Sequence, residues 1–150
     1  MVQAAAPIEE RIALEDMMTE YCYRVDALEN IPNVLELFTD DAVLDFSFIG
    51  LPVMNGKPAF KAFYESVFAD MSHHNHYISN YRLDEYNGDT ATMRAYARGM
   101  GRSNDGGMVD VNVRYLMNFV RTNGGWRISR YEIHPAMPMP DSLSEIHGHR

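Results

Sequence analysis

Three side chains from two separate segments have the makings of an acid–base site. Tyr21 and Asp26 lie in Tyr21-Cys22-Tyr23-Arg24-Val25-Asp26, and His76 lies in His73-His74-Asn75-His76-Tyr77-Ile78-Ser79-Asn80. An imidazole titrates near neutrality, so it can both take and return a proton. A carboxylate can hold that imidazole in one tautomer and stabilise its cation. A phenol can donate to an oxygen that gains charge or leaves. Strand parity places His74 with His76, Ile78 and Asn80, and His73 with Asn75 and Tyr77. His74 is therefore the alternative base if the register slips. Tyr21 and Asp26 are separated by about 140° around a helix, so they would flank a pocket rather than share a face. Tyr23 shares Asp26's side better and is a rival phenol. Asp26 also sits at a helix end where the macrodipole disfavours negative charge, a placement that points to a function.

Other polar residues on predicted strands are candidates to line a cavity: Asn80, Tyr96, Arg98, Asn112, Arg114, Asn118 and Tyr131. Of these, Asn80, Tyr96, Arg114 and Tyr131, with Tyr23 and His74, are the expected substrate contacts. Metal binding is a poor reading, because His73, His74 and His76 alternate in parity and no HExxH or Cys-rich spacing occurs. No phosphate loop, dinucleotide fingerprint or serine elbow is present. Cys22 has no evident activating neighbour and reads as core packing.

The elements that must carry these residues follow from periodicity. Residues 1–7 read as an N-terminal arm. Ile8 to Glu29 reads as a helix, with Ile8, Ile12, Met18, Tyr21, Cys22 and Val25 at helical spacing. Asn30 can cap a second helix, with Pro32 in its first turn and Leu35, Leu37 and Phe38 facing inward. Thr39-Asp40-Asp41 ends that helix, and Ala42 to Phe48 alternates as a strand. A third helix starts at Gly56-Lys57-Pro58 and carries an apolar stripe from Phe60 to Met71. From His74 the period changes to two: strands 74–86, 89–102, 108–121 and 125–133, with hairpin turns at Asn87-Gly88 and Asn123-Gly124. Pro135, Pro138 and Pro140 then break regularity, so 136–150 is expected as an extended tail beyond a single domain of residues 8–135. The order predicts an α+β fold, with three N-terminal helices packed in a strongly curved antiparallel sheet that encloses a pocket.

Bulk properties narrow the function. The chain has 150 residues, 46% apolar and 23% charged, with a formal charge of −8. One domain with its own core fits that length. The acidic balance argues against nucleic acid, whose phosphates need a basic face. A single cysteine allows no internal disulfide, no signal-peptide pattern is evident, and no apolar run would cross a membrane, so a cytoplasmic protein is expected. Eleven methionines suit either a greasy ligand pocket or an irregular core.

The pattern resembles the SnoaL-like branch of the nuclear-transport-factor-2-like superfamily. The matching residues are Tyr21 and Asp26, the run Leu35-Glu36-Leu37-Phe38-Thr39-Asp40-Asp41-Ala42, Gly56-Lys57-Pro58-Ala59-Phe60, and His76 with Asn80. Asn87-Gly88-Asp89-Thr90-Ala91 and Arg121-Thr122-Asn123-Gly124-Gly125-Trp126-Arg127-Ile128 complete it. The resemblance is closest to the scytalone dehydratase and bile-acid dehydratase type, and implies a cone-shaped fold with Tyr21, Asp26 and His76 as catalytic residues and no cofactor. It implies a homodimer or homotrimer. It also implies a late arginine in the site, with Arg114, Arg127 and Arg130 as candidates. The activity implied is a cofactor-independent lyase, a dehydratase or a retro-aldol, deformylating enzyme, acting on a hydrophobic or aromatic hydroxylated molecule. Alternatives on the same fold are an isomerase, a polyketide cyclase, an epoxide hydrolase using Asp45 or Asp110 with Arg114, or a non-catalytic binding protein.

Overall fold

The computed structural model describes residues 3–148. Its elements are helix α1 (Ile8–Asp26), helix α2 (Ile31–Leu35), strand β1 (Phe38–Asp45), strand β2 (Val53–Asn55), helix α3 (Lys57–Asp70), strands β3 (Met71–Tyr86), β4 (Thr90–Ser103), β5 (Met108–Thr122) and β6 (Gly125–Pro135), and helix α4 (Asp141–His147). The architecture is the expected α+β: helices lie against a curved, unclosed six-stranded sheet of order β2-β1-β6-β5-β4-β3. The long meander β3–β6 is antiparallel throughout, whereas β1 joins β6 in parallel.

Alternation fixes which face is inside. On β4 the buried hydrophobic residues are Ala91, Met93, Ala95 and Ala97, and on β5 they are Val109, Val113, Tyr115, Met117 and Phe119. Against this concave face α1 packs Leu14, Met18, Tyr21, Cys22 and Val25. Each such aliphatic side chain contributes roughly 1.5–3 kcal/mol on burial. Ile8 and Ile12, expected on this stripe, are 66% and 50% exposed. They lie on the outer face of the helix, while Glu10 between them meets the sheet through Arg121 and Trp126.

Several sequence expectations are corrected. Helix α1 stops at Asp26, and Leu28 and Asn30 take left-handed backbone conformations. Asn30 does cap α2, its side chain accepting from the Asn33 amide at 3.3 Å. That helix is short, however, and Phe38-Thr39-Asp40-Asp41 opens β1 instead of closing a helix. The tail is not extended throughout: α4 folds back with Leu143 and His147 buried. Near the other end, Gln3 and Ala4 lie against the outermost strand, where the Ala4 amide donates to the Leu83 carbonyl and the Gln3 side chain accepts from the Leu83 amide.

A β-bulge in β3 is the least predictable feature. Ser79 pairs with Tyr96 and Arg82 with Arg94, so Asn80 and Tyr81 together oppose one residue. Asn80 absorbs the bend at φ 56°. Inward parity therefore changes along the strand, from His74, His76 and Ile78 to Tyr81 and Leu83.

No helix among the described residues is long and apolar enough to cross a membrane.

Candidate active site

Helix α1 ends against the start of β3, and that junction builds the site. The Asp26 carboxylate accepts two hydrogen bonds from His76: Oδ2 from the backbone amide at 2.8 Å and Oδ1 from the imidazole Nδ1 at 2.6 Å. One residue earlier, the Val25 carbonyl in the last helical turn accepts from His74 Nδ1 at 3.1 Å. Carboxylates and carbonyls only accept, so both Nδ1 atoms carry the hydrogen. Each neutral ring is left with its lone pair on Nε2. The two rings meet edge to face at 4.8 Å. Two N–H donors also offset the cost of an acid at a helix C-terminus.

Two glycines make room for these rings. In the β3–β4 register His76 faces Gly99 and His74 faces Gly101. A Cβ at Gly99 would stand 3.1 Å from His76 Nε2, and one at Gly101 would stand 3.3 Å from His74 Cδ2 and closer still to the Met71 methyl.

The imidazoles open on a cavity of about 100 Å³ inside the cone. Its walls are largely apolar, with Val25, Phe63, Val67, Val109, Val111 and Ile133 among them, and α4 contributes Leu143 and His147. Four tyrosines line it as well: Tyr21, Tyr64, Tyr115 and Tyr131. Tyr21 and Tyr64 share a hydrogen bond at 2.8 Å, whereas the buried Tyr131 hydroxyl makes none of acceptable geometry. Burial pushes all four phenols well above their ordinary range, so they remain protonated donors. Burial, then the neighbouring His76, depresses His74 to about 4, so it is neutral at physiological pH. Cys22 is pushed up to about 12 by burial and stays an inert thiol.

Of the residues singled out from sequence, Tyr21, His74, His76 and Tyr131 line this cavity, and Asp26 stands behind His76. The others do not. Tyr23 is 72% exposed on the solvent side of α1. Asn80 is turned outward by the bulge, and Tyr96 and Arg114 have the outward parity of β4 and β5, with the Arg114 guanidinium 4.9 Å from the Tyr96 ring centre. Their distance from the cavity corrects the expectation that they contact substrate there. No late arginine enters it either: Arg130 bridges Asp45 and Glu132, and Arg127 donates to the Trp126 carbonyl. Asp45 and Asp110 are tied to Arg130 and Arg98 outside the cavity, so the epoxide-opening set does not converge. Tyr64, Tyr115, His147, Gly99 and Gly101 were missed. Only the glycines carried a sequence signal, since glycine at alternate strand positions marks a close approach.

Asp26, His74 and His76 have ligand-type atoms within 4.8 Å of one another, and among the described residues they form the one such group. Both Nδ1 atoms are already committed to protein acceptors.

Comparison with known proteins agrees with this architecture. A structure from Novosphingobium aromaticivorans, named for a proposed aromatic ring hydroxylase activity, is 46% identical over 91% of this chain and 95% of its own, with a TM-score of 0.89. A second protein from that organism, named for a proposed scytalone dehydratase activity, is 22% identical over 87% of this chain and 86% of its own, with a TM-score of 0.79. A Streptomyces avermitilis protein, named for a proposed dehydratase activity in the NTF2-like family, is 15% identical over 88% of this chain and all of its own, at 0.76. No curated protein matches. The SnoaL-like domain model matches residues 6–132. The chain thus belongs to the SnoaL-like domain family.

Proposed function

We propose that this protein is a cofactor-independent lyase that uses acid–base catalysis on a small, hydrophobic hydroxylated molecule. The observation that carries this is the Asp26–His76 pair, with a fixed tautomer and its imidazole on the wall of an apolar cavity. His76 takes a proton from carbon. Asp26 holds the ring and stabilises its cation. Tyr21, backed by Tyr64, donates to the oxygen that gains charge. Dehydration is the simplest outcome, and the same groups serve a retro-aldol loss of formaldehyde or an isomerisation. An aromatic substrate suits the tyrosine- and phenylalanine-edged cavity and the name of the 46%-identical relative. The cytoplasm and a homodimeric or homotrimeric state are part of this reading.

The test is turnover of a panel of aryl alcohols by wild type and His76→Ala, with product masses measured. Loss of water or formaldehyde by wild type, abolished in the variant while binding persists, supports the lyase. Equal turnover in both assigns the base elsewhere, and binding without turnover leaves a carrier.

A second reading rests on the grouping of Asp26, His74 and His76, two imidazoles and a carboxylate able to hold a divalent ion. It predicts activity that EDTA removes and a divalent metal restores, whereas the lyase is indifferent to EDTA.

A further inference from the structure

We propose that His147, carried on α4, is a second catalytic residue of this cavity: the general acid that protonates the departing hydroxyl. The inference rests on the lyase reading and adds the group that completes its proton balance. His147 and Leu143 stand one helical turn apart on the same face of α4, and both line the cavity that holds His74 and His76. His147 is only 7% exposed.

The position favours an apolar residue on packing grounds. A seven-residue helix has little stability of its own and depends on what it buries. Leu143 and the partly buried Ile146 supply that contact. An imidazole adds less apolar contact there than a leucine or isoleucine would, so its place on the cavity wall points to chemistry rather than to packing.

The chemistry requires two groups. When His76 Nε2 takes the proton from carbon, the C–H pair forms the new C=C bond and the C–O bond breaks. Hydroxide leaves poorly unless it is protonated as it departs. His76 has just become an acid, but it sits on the β3 wall beside the carbon it deprotonated. His147 reaches the cavity from α4, outside the sheet, and in its protonated form hands its proton to the leaving oxygen. Water departs, and the proton on His76 returns to His147 through solvent. A cavity of about 100 Å³ is small enough that a molecule filling it touches both walls.

The experiment compares two leaving groups on one skeleton: 4-hydroxy-4-phenylbutan-2-one, which must lose water, and its 4-chloro analogue, whose chloride needs no proton. The expected result is that His147→Gln lowers kcat for the hydroxy probe about 100-fold and leaves the chloro probe within about threefold, the effect of a lost acid alone. His76→Ala lowers both. Equal losses on both probes in His147→Gln would overturn the acid role and leave a packing residue. Wild-type loss of chloride without loss of water would overturn it with the base intact. Turnover of neither probe sinks the lyase reading itself. A second measurement does not depend on turnover: benzyl alcohol, but not toluene, should shift the His147 imidazole nitrogen resonances, and no difference between the two overturns the contact.

Discussion

Asp26, the last residue of α1, and His76, in the first half of β3, are joined twice: through the His76 backbone amide and through its ring. One carboxylate thereby fixes both the strand's seating against the helix and the tautomer of the base. Asp26→Asn keeps the size but can supply only one oxygen acceptor. A kcat loss of about 10³–10⁴ is expected, by analogy with loss of tautomer control in hydrolase triads, with a smaller change in KM. Steady-state kinetics on the best alcohol of the panel checks this, and a loss under tenfold would show that the ring needs no carboxylate.

Gly99→Ala tests the space given to that ring. Its methyl would crowd His76 Nε2 at 3.1 Å, tighter than ordinary contact, while the extended strand accepts alanine readily. The variant should fold with a melting temperature near wild type and lose at least tenfold in kcat. Gly101→Ala instead meets the flexible end of Met71 first, so its effect on kcat should be the smaller of the two.

His74 makes stability depend on pH. Its folded value, about 4, lies below the ordinary 6.5, first because of burial and then because of His76. In that interval the unfolded chain binds a proton that the folded one refuses, so stability rises with pH. The contribution is complete above about 6.5 and is lost as pH falls toward 4, at most about 3 kcal/mol for a group this buried. Urea midpoints between pH 7 and pH 4 should fall accordingly, and His74→Gln should flatten that slope.

Tyr131→Phe removes a buried hydroxyl that stands near the Tyr21 and Tyr115 phenols without a well-formed hydrogen bond to either. Leaving such a group unsatisfied costs about 1 kcal/mol or more, so the variant should melt about 3 °C higher. Its affinity for benzyl alcohol should fall if the ligand's oxygen is what normally satisfies that phenol. Calorimetry and titration read the two effects separately.

Much of this was legible in the sequence, for identifiable reasons. The meander was clear because Asn-Gly turns punctuate long period-two runs. The Asp26–His76 pair was visible as chemistry, and its contact followed from the resemblance to a known cone. β1 was misread because Leu35, Leu37 and Phe38 suit a buried helix or a buried strand equally well. Parity sorted Tyr96 and Arg114 onto one face without saying which face the helices cover. Asn80 was assigned to His76's face because a bulge, set by one left-handed residue, leaves no mark in the hydrophobic pattern. His147 was hidden behind three prolines that made the whole tail look extended.

The contact of Gln3 and Ala4 with Leu83 bears on the protein's behaviour in a crowded solution. β3 is the outermost strand, and its unpaired amides and carbonyls are a template on which a strand from another molecule can add. The arm occupies that template at Leu83 with the chain's own backbone. Trimming the first six residues should therefore leave the cavity intact yet shorten the time to visible precipitation at high concentration, turning a short terminal segment into a guard against self-association.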